Sequence, residues 1–255
     1  MDDDSRHALF EYLLRLGDDR LVMGHRLSEW CGHGPILEED IALTNIALDC
    51  IGQANNFLQL AGSVENKGRT ADDLAYFREA IEFKNLMLVE QPNGDFAFTI
   101  ARQFLFDVFS FHLLEELQHS SHQELAGIAA KAVKEDRYHL RHSREWVLRL
   151  GDGTDESHER IQSAFNDLWM YTGEIFQADE VDGLLFEKGI AVDLKSIEPK
   201  WSANVSEVFT EATLTVPDAE QYMASGSRQG IHTEYLGHML TEMQILTRSF
   251  PDARW

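Results

Sequence analysis

Apolar residues recur at intervals of three and four along most of the chain, the spacing that places them on one face of an α-helix. In the N-terminal segment, Leu9, Leu13, Leu16, Met23 and Leu27 keep this spacing. No segment sustains the alternation of apolar and polar residues that is typical of a half-buried β-strand. The pattern therefore predicts an all-α protein.

Four of the periodic segments are long, and breaks containing glycine, proline or serine separate them. The second segment opens with Glu38, Glu39 and Asp40, and acidic residues stabilise the N-terminal end of a helix. Long amphipathic helices with short connections form antiparallel bundles. We therefore predict an antiparallel four-helix bundle whose core helices span about 6–30, 38–60, 95–119 and 122–150.

Shorter periodic segments predict further helices that pack around this bundle. The stretch 177–197 is mixed in character and can hold a short turn of helix. A length of 255 residues allows one large domain or two small ones, and we predict a single domain over 1–255 with additional C-terminal helices. The shorter helices are expected at about 71–84, 155–176, 199–214 and 231–249.

The balance of charges excludes two classes of partner. The chain has 22 lysine and arginine residues against 44 aspartate and glutamate residues, so its formal net charge is −22. Such a surface repels phosphate backbones and anionic lipid headgroups, which argues against binding to nucleic acid or to a membrane. Solubility explains most of this charge, and a basic protein partner is the second interpretation.

The N-terminus and the cysteines predict a cytoplasmic protein. The chain begins with Met1, Asp2, Asp3 and Asp4, the opposite of the basic start of a secretory signal. No apolar run approaches the roughly 18 residues that a membrane-spanning helix needs. The two cysteines, Cys31 and Cys50, are therefore expected to be reduced thiols.

Polar residues on the core-facing stripes follow part of a known metal-binding pattern. In bundle proteins that hold two iron ions, a glutamate comes from each of two helices and a Glu-x-x-His pair from each of the other two. The three-residue spacing places a carboxylate and an imidazole on the same helix face, where one metal ion can take both.

The third and fourth predicted helices carry some of these groups. The fourth helix has Asp136 and His139 at the required spacing, with Glu135 next to them on the predicted core stripe. The third helix has Asp107 alone within a phenylalanine-rich stripe, where it is expected to be buried. These residues can supply three carboxylates and one imidazole.

The first and second helices depart from the pattern. Asn45, Asp49 and Gln53 follow one another at four-residue steps on the second helix, and no histidine stands three residues after Asp49. On the first helix, Arg20 lies on the apolar stripe at a position where a carboxylate ligand would be expected. Compared with the di-iron pattern, the sequence lacks the second histidine and carries a cation, Arg20, on the core-facing stripe.

We therefore predict a degenerate polar core site. A buried carboxylate needs a metal or a cationic partner, and Arg20 and His139 can supply that charge without metal. Two alternatives stay open: a metal held by Asp49, Asp107, Asp136 and His139, and residues that simply face solvent. The predicted metal-free site comprises Arg20, Asn45, Asp49, Gln53, Asp107, Glu135 and His139.

Other catalytic motifs are missing from the sequence. It contains no Gly-x-Ser-x-Gly motif and no phosphate-binding glycine loop. His232 and His238 are six residues apart and do not share a helix face, so a capping or interface role is expected for them. We therefore predict no catalytic residue in this chain.

Several segments together resemble one protein family, the C subunits of bacterial ring-1,2-phenylacetyl-CoA epoxidase. The most distinctive is Leu-Val-Glu-Gln-Pro-Asn-Gly-Asp-Phe-Ala at 88–97. The segments cover nearly the whole chain in order. They are 17–22, 26–33, 40–49, 52–54, 88–97, 131–135, 138–141 and 232–237.

The resemblance implies a ferritin-like structural subunit that is required for activity without carrying out chemistry. Such a subunit pairs with and stabilises a catalytic A subunit, which holds the di-iron centre. The complex epoxidises the ring of phenylacetyl-CoA in aerobic phenylacetate catabolism, with oxygen and with electrons from NADPH through a flavin and iron–sulfur reductase. No cofactor is then expected in this chain.

The resemblance also leaves alternatives open. The chain could hold its own di-iron centre and act as an oxygenase or oxidase, or it could self-assemble as a ferritin-like storage protein. The expected partners are the A subunit and the other subunits of the complex, and a homodimer is a further alternative. Candidate interface residues are the aromatic side chains Trp169, Tyr171, Phe176 and Trp201.

Overall fold

The computed structural model describes residues 1–218, 222–251 and 253. These residues form ten α-helices and no strand, so the all-α prediction is confirmed and is consistent with a ferritin-like fold. In chain order the helices are α1 (Asp3–Ser28), α2 (Leu37–Glu65), α3 (Ala71–Tyr76), α4 (Met87–Glu90), α5 (Phe96–Leu117), α6 (Gln123–Gly151), α7 (Asp155–Leu168), α8 (Glu180–Glu187), α9 (Leu194–Glu211) and α10 (Glu234–Ser249).

The first two helices form an antiparallel hairpin with close backbone contact. Gly17 of α1 lies against Leu58 of α2, and Gly24 lies against Ile51. Later residues of α1 therefore contact earlier residues of α2, as expected for antiparallel helices. A Cβ atom at Gly17 would come within 2.8 Å of the Leu58 side chain, so a larger residue there would force Leu58 to shift.

The helices α5 and α6 form the second antiparallel hairpin. Ser110 of α5 contacts Asp136 of α6, and Asp107 contacts Ser143. The hairpins face each other, with α1 against α5 and α2 against α6. The first pairing includes Arg20 donating to Ser110, and the second includes Glu39 beside His142. The four helices form the core bundle, and polar side chains fill the space between the hairpins.

The second core helix continues to Glu65, five residues beyond its predicted end, and three of the shorter predicted helices also have other bounds in the structure. The segment predicted as 71–84 is helical only over Ala71–Tyr76 and, as a 3₁₀ turn, over Ala80–Glu82. The chain turns there because Arg78 directs its guanidinium inward to Asp18 and the Glu82 carbonyl oxygen.

The predicted helix 155–176 ends at Leu168 and continues as two 3₁₀ turns, Trp169–Tyr171 and Gly173–Phe176. The predicted helix 199–214 begins earlier, at Leu194, with the side chain of Asp193 accepting from the backbone of Lys195. Pro199 lies inside this helix. A proline is common at a helix start, which is why the sequence pattern places the boundary there.

The C-terminal helices cover two sides of the bundle. The helices α7 and α9 pack on α5 and α6, α8 packs on α1, and α10 packs on α3. Trp169 and Trp201 are both buried, and Trp201 packs edge-on against Phe176 with ring centroids 5.5 Å apart. The prediction that these aromatic residues form an intersubunit surface is therefore wrong for both tryptophans. They join the C-terminal helices to the bundle.

Within the described residues, no helix is long and apolar enough to cross a membrane. Cys31 is exposed and Cys50 is buried, and both are free.

Substitution of Gly62 by alanine tests the close turn at the end of α2. The added Cβ would lie 2.2 Å from the carbonyl oxygen of Arg69, so we expect Gly62→Ala to lower the free energy of unfolding by about 1–3 kcal/mol. The control is Gly52→Ala, whose Cβ would meet no atom within 4 Å. It is expected to raise stability by up to about 1 kcal/mol, because alanine is the better helix former. Equal stabilities in urea unfolding would contradict this.

Candidate functional site

A cluster of polar side chains lies between the two hairpins, in the middle of the bundle. Most of its members are almost fully buried, although each is a residue type that usually faces water. The buried members are Arg20, Gln53, Gln103, Asp107, Ser110, Asp136, His139 and Ser143. Asp49 and Glu135 lie at its margin, with side chains that are 40% and 25% exposed.

Arg20 is the buried cation of this cluster. Its Nε donates to Oε1 of Gln53 at 2.8 Å, and one Nη donates to Oγ of Ser110 at 2.7 Å. The other Nη donates to the carbonyl oxygen of Leu16 at 3.1 Å. The guanidinium also lies over the ring of Phe57, 5.0 Å from its centroid. Every nitrogen of the guanidinium therefore has a partner inside the bundle.

Two relays connect this cation to the carboxylate of Asp136. Gln53, which accepts from Arg20, donates from Nε2 to Oδ1 of Asp136 at 2.9 Å. Ser110, which also accepts from Arg20, donates from Oγ to Oδ2 of Asp136 at 2.5 Å. Gln53 contacts Glu135 as well, at 3.0 Å. Both oxygens of the Asp136 carboxylate are thus occupied by donors that Arg20 orients.

His139 lies between two carboxylates. Its Nε2 is 3.1 Å from Oδ2 of Asp49, and its Nδ1 is 3.7 Å from Oδ1 of Asp136. Burial alone would lower the pKa of His139, but the hydrogen bond to Asp49 and the negative charges of Asp136 and Asp107 outweigh it, so the pKa is raised. The neighbouring carboxylates therefore favour the protonated form of the ring, which would add a second positive charge to the cluster.

Asp107 is the least well compensated carboxyl group. It accepts from Nε2 of Gln103 and, at 2.7 Å, from Oγ of Ser143. Burial raises the pKa of Asp107 to about 7, with the charge of Asp136 adding to the effect and His139 opposing it. Near neutral pH this group changes charge inside the bundle.

The raised pKa of Asp107 predicts a pH-dependent contribution to stability. The folded chain keeps a proton that the unfolded chain releases, so stability falls as pH rises from about 4 to about 7. Asp107→Asn removes this loss. We therefore expect the stability of this variant, relative to the unsubstituted protein, to rise across that window by on the order of 3 kcal/mol.

Urea unfolding at both ends of the pH window measures this difference. Asp152→Asn, at an exposed position, is the matched control and should give a difference that does not vary with pH. A pH-independent difference for Asp107→Asn would contradict the role given to this carboxyl group.

The structure gathers most of the predicted site residues and corrects one of them. Asn45 is exposed and lies outside the cluster. The reason is helical geometry, since each four-residue step rotates by about 40° around the axis. Gln53 therefore points inward and Asp49 lies at the margin, and Asn45, one step further, faces solvent.

The buried stripe of α6 runs through Asp136 and His139, whereas Glu135 lies beside it. Sequence reasoning treats Asp136 only as a possible metal ligand and misses Ser110, Ser143 and Gln103. Serine and glutamine are common on exposed helix faces, so only their position among buried residues could have revealed them.

The donor set does not fit a di-iron centre. Of the candidate ligands, Asp136 and Asp107 already accept two hydrogen bonds each, and Arg20 brings a positive charge into the same space. Over residues 1–218, 222–251 and 253, no group of three or more histidine, cysteine or acidic side chains has a metal-binding arrangement. On α2 the position three residues after Asp49 is the exposed Gly52, and Gln53 is the buried residue of α2 that reaches the cluster.

A separate buried network joins the segments 88–97 and 232–237. Glu90 is fully buried, and its carboxylate contacts Nδ1 of His232 at 3.1 Å and accepts from the backbone N–H of Thr233 at 2.7 Å. His232 also contacts the carbonyl oxygen of Phe83 at 3.0 Å, whereas His238 is exposed. These contacts hold the start of α10 against the bundle.

Comparisons with known proteins agree with the resemblance seen in the sequence. All of residues 1–255 match the family described as phenylacetic acid catabolic protein. The C subunit of the 1,2-phenylacetyl-CoA epoxidase of Escherichia coli (strain K12) is 51% identical over 249 residues. That alignment covers 98% of this chain and 100% of the relative.

Proposed function

The chain belongs to the phenylacetic acid catabolic protein family, and we propose that it is the structural, non-catalytic subunit of a 1,2-phenylacetyl-CoA epoxidase. Full-length identity of 51% to a C subunit supports membership of such a complex. The complex would act in phenylacetate catabolism in the cytoplasm, with its di-iron centre in a separate A subunit. Electrons from NADPH would enter through the flavin and iron–sulfur reductase of the complex.

One observation carries the non-catalytic part of this proposal. Arg20 occupies the space between the hairpins and is connected to Asp136 through both Gln53 and Ser110. The carboxylates that would bind metal in a catalytic bundle are instead neutralised by a guanidinium and by His139. A chain with its own di-iron centre would need Arg20 to leave a position where all its nitrogens are bonded.

The contribution of such a subunit is mechanical. A bundle whose core charges are satisfied internally keeps its shape without a cofactor, and it can hold a catalytic partner in a fixed orientation. Buried polar networks favour one arrangement of the helices, because an alternative arrangement leaves charged groups without partners. We therefore expect the cluster to act on folding and assembly rather than on turnover.

Substitutions in the cluster test this expectation in the reconstituted complex. We expect Asp49→Ala and His139→Ala to lower the yield of assembled complex, because each removes a partner from a buried charge or hydrogen bond. Turnover per assembled complex should stay unchanged. The measurement is substrate-dependent oxygen consumption, normalised to the A subunit in the complex fraction from size-exclusion chromatography.

His119→Ala, at an exposed position, is the matched control and should alter neither yield nor turnover. Loss of turnover in a fully assembled His139→Ala complex would contradict the structural role.

A further inference from the structure

One face of α2 is exposed over most of the helix and carries no charge between residues 41 and 63. Its positions alternate in steps of three and four, the spacing at which one helix packs along another. Leu48 is 64% exposed and Ile41 is 53% exposed. We call this face the α2 seam, and it consists of Ile41, Asn45, Leu48, Gly52, Asn55, Gln59 and Ser63.

The composition of the α2 seam has no explanation within the chain. Charged residues make up 26% of the sequence, yet the seam has none over about 33 Å of helix. Gly52 lies near its centre, and a Cβ atom there would meet nothing within 4 Å. Glycine inside a helix costs about 1 kcal/mol relative to alanine. The chain's own packing does not require it, whereas the close approach of another helix would.

A row of cations lies on the exposed face of α6, the helix that contacts α2 through His139 and Asp49. Lys131, Lys134, Arg137 and Arg141 are all exposed and follow at steps of three and four. We call these four residues the α6 basic row. Lys131 is 3.8 Å from Glu135. Within the described part of the chain, the other three have no ion-pair partner, and they stand out on a protein with a net charge of −22.

The α2 seam and the α6 basic row lie on the exposed faces of two neighbouring helices, and Arg137 of the row lies over the ring of Phe111 on α5. The two helices are joined by the contacts of Asp49 with His139 and of Glu39 with His142. Tyr138, which is 41% exposed, stacks on His142 and lies under Arg141. The described helices α8 and α10 pack on α1 and α3, and α7 and α9 contact α5 and α6. Every residue of the α2 seam and of the α6 basic row is nevertheless exposed, so the seam and the row together form an uncovered surface of this helix pair.

We propose that this surface docks a helical protein partner whose small and apolar side chains meet the α2 seam and whose carboxylates meet the α6 basic row. The assignment rests on the proposed function, in which the partner is another subunit of the epoxidase. Charge complementarity selects such a partner over a second copy of this chain. A face-to-face pair of copies would set each basic row against another basic row or against an uncharged seam.

Charge and polarity changes on exposed positions test the surface without disturbing the core. The seam variant is Ile41→Glu with Leu48→Glu, and the row variant is Arg137→Glu with Arg141→Glu. Their matched controls are Phe186→Glu and Lys195→Glu, which change an exposed apolar and an exposed basic residue on other helices. Thermal unfolding of each isolated chain verifies that all four variants fold.

Binding to the remaining subunits of the epoxidase is then measured by biolayer interferometry with the full-length chain immobilised. We expect the seam variant to bind at least about tenfold more weakly, since it introduces charge where apolar contact is made. The row variant should lose about tenfold at low salt and less at high salt, because salt screens charge pairs. Both controls should bind like the unsubstituted chain.

The possible outcomes distinguish a wrong surface assignment from a wrong proposed function. If the unsubstituted chain binds and all four variants bind equally well, the surface assignment is overturned while the proposed function stands. If the unsubstituted chain does not bind the other subunits, the proposed function fails and the assignment fails with it. If the seam variant only dissociates a homodimer and leaves subunit binding unchanged, the surface pairs two copies and the proposal is wrong.

Discussion

Replacing Arg20 by methionine is expected to lower the free energy of unfolding by about 3–5 kcal/mol near neutral pH, because it leaves buried carboxylates without their cation. Methionine fills a similar volume, so the loss measures charge and hydrogen bonding more than packing. Gln53 and Ser110 lose the hydrogen bonds that Arg20 donates to them. Asp136, which accepts from both residues, loses the nearby positive charge of the guanidinium.

The effect should depend on Asp136. Without the cation, the buried carboxylate of Asp136 is destabilising. Adding Asp136→Asn to Arg20→Met should restore part of the stability. Arg6→Met, at a position 46% exposed on the side chain, is the control and should change stability by less than about 0.5 kcal/mol. Urea unfolding in which Arg20→Met matches Arg6→Met would contradict the role of this cation.

The second large effect is expected at Asp18. Its carboxylate is fully buried, pairs with Arg78 and accepts from the backbone N–H of Lys84 at 2.8 Å. Asp18→Ala leaves the guanidinium of Arg78 buried and unpaired, and we expect a loss of about 3–5 kcal/mol in the free energy of unfolding.

A double substitution separates this charge effect from packing. Asp18→Leu with Arg78→Met removes both charges, and replacing a buried ion pair by apolar residues is often close to neutral. The double variant should therefore be more stable than Asp18→Ala. Asp4→Ala, at an exposed position of the same helix, is the control. A double variant as unstable as Asp18→Ala would show that the pair's charges are not what holds residues 78–84 in place.

The residues around Asp18 show which features can be predicted from the spacing of apolar residues and which cannot. Asp18, Asp19 and Arg20 are consecutive and buried, so they point in three directions about 100° apart. Periodicity identifies Arg20, which lies on the apolar stripe. The partners of the other two are distant in sequence, since Asp18 pairs with Arg78 and Asp19 pairs with Arg228. Periodicity cannot predict such pairings. It identifies a single buried face, whereas α1 is packed against other elements on several sides.

The site shows the same limit at smaller scale. The four-residue spacing correctly predicts that Gln53 and Asp49 lie on the same side of α2. Each four-residue step also rotates by about 40° around the helix axis, so Asn45 faces solvent. The sequence pattern places Glu135 on the core-facing stripe of α6, whereas Asp136 is the buried residue. This is an error of one position, which corresponds to a rotation of about 100° around the helix axis. The four long helices and most of the cluster are thus predictable, whereas the hydrogen bonds that satisfy each carboxylate depend on how the hairpins face each other.

The groups of the cluster share one role. Arg20 provides positive charge, the carboxylates of Asp49 and Asp136 favour the protonated form of His139, and burial raises the pKa of Asp107 to about 7. Each group is compensated by another side chain of the same bundle. Such a core holds the helices in one arrangement, and that arrangement presents the α2 seam and the α6 basic row to a partner.

Counting metal in the purified chain tests the central claim most directly, which is that Arg20 and His139 replace metal in this bundle. The chain would be produced in iron-supplemented medium, purified aerobically without chelators and analysed by inductively coupled plasma mass spectrometry, with Asp136→Asn in parallel. We expect iron far below one ion per chain in both proteins. Stoichiometric iron in the unsubstituted chain that is lost in Asp136→Asn would contradict the claim.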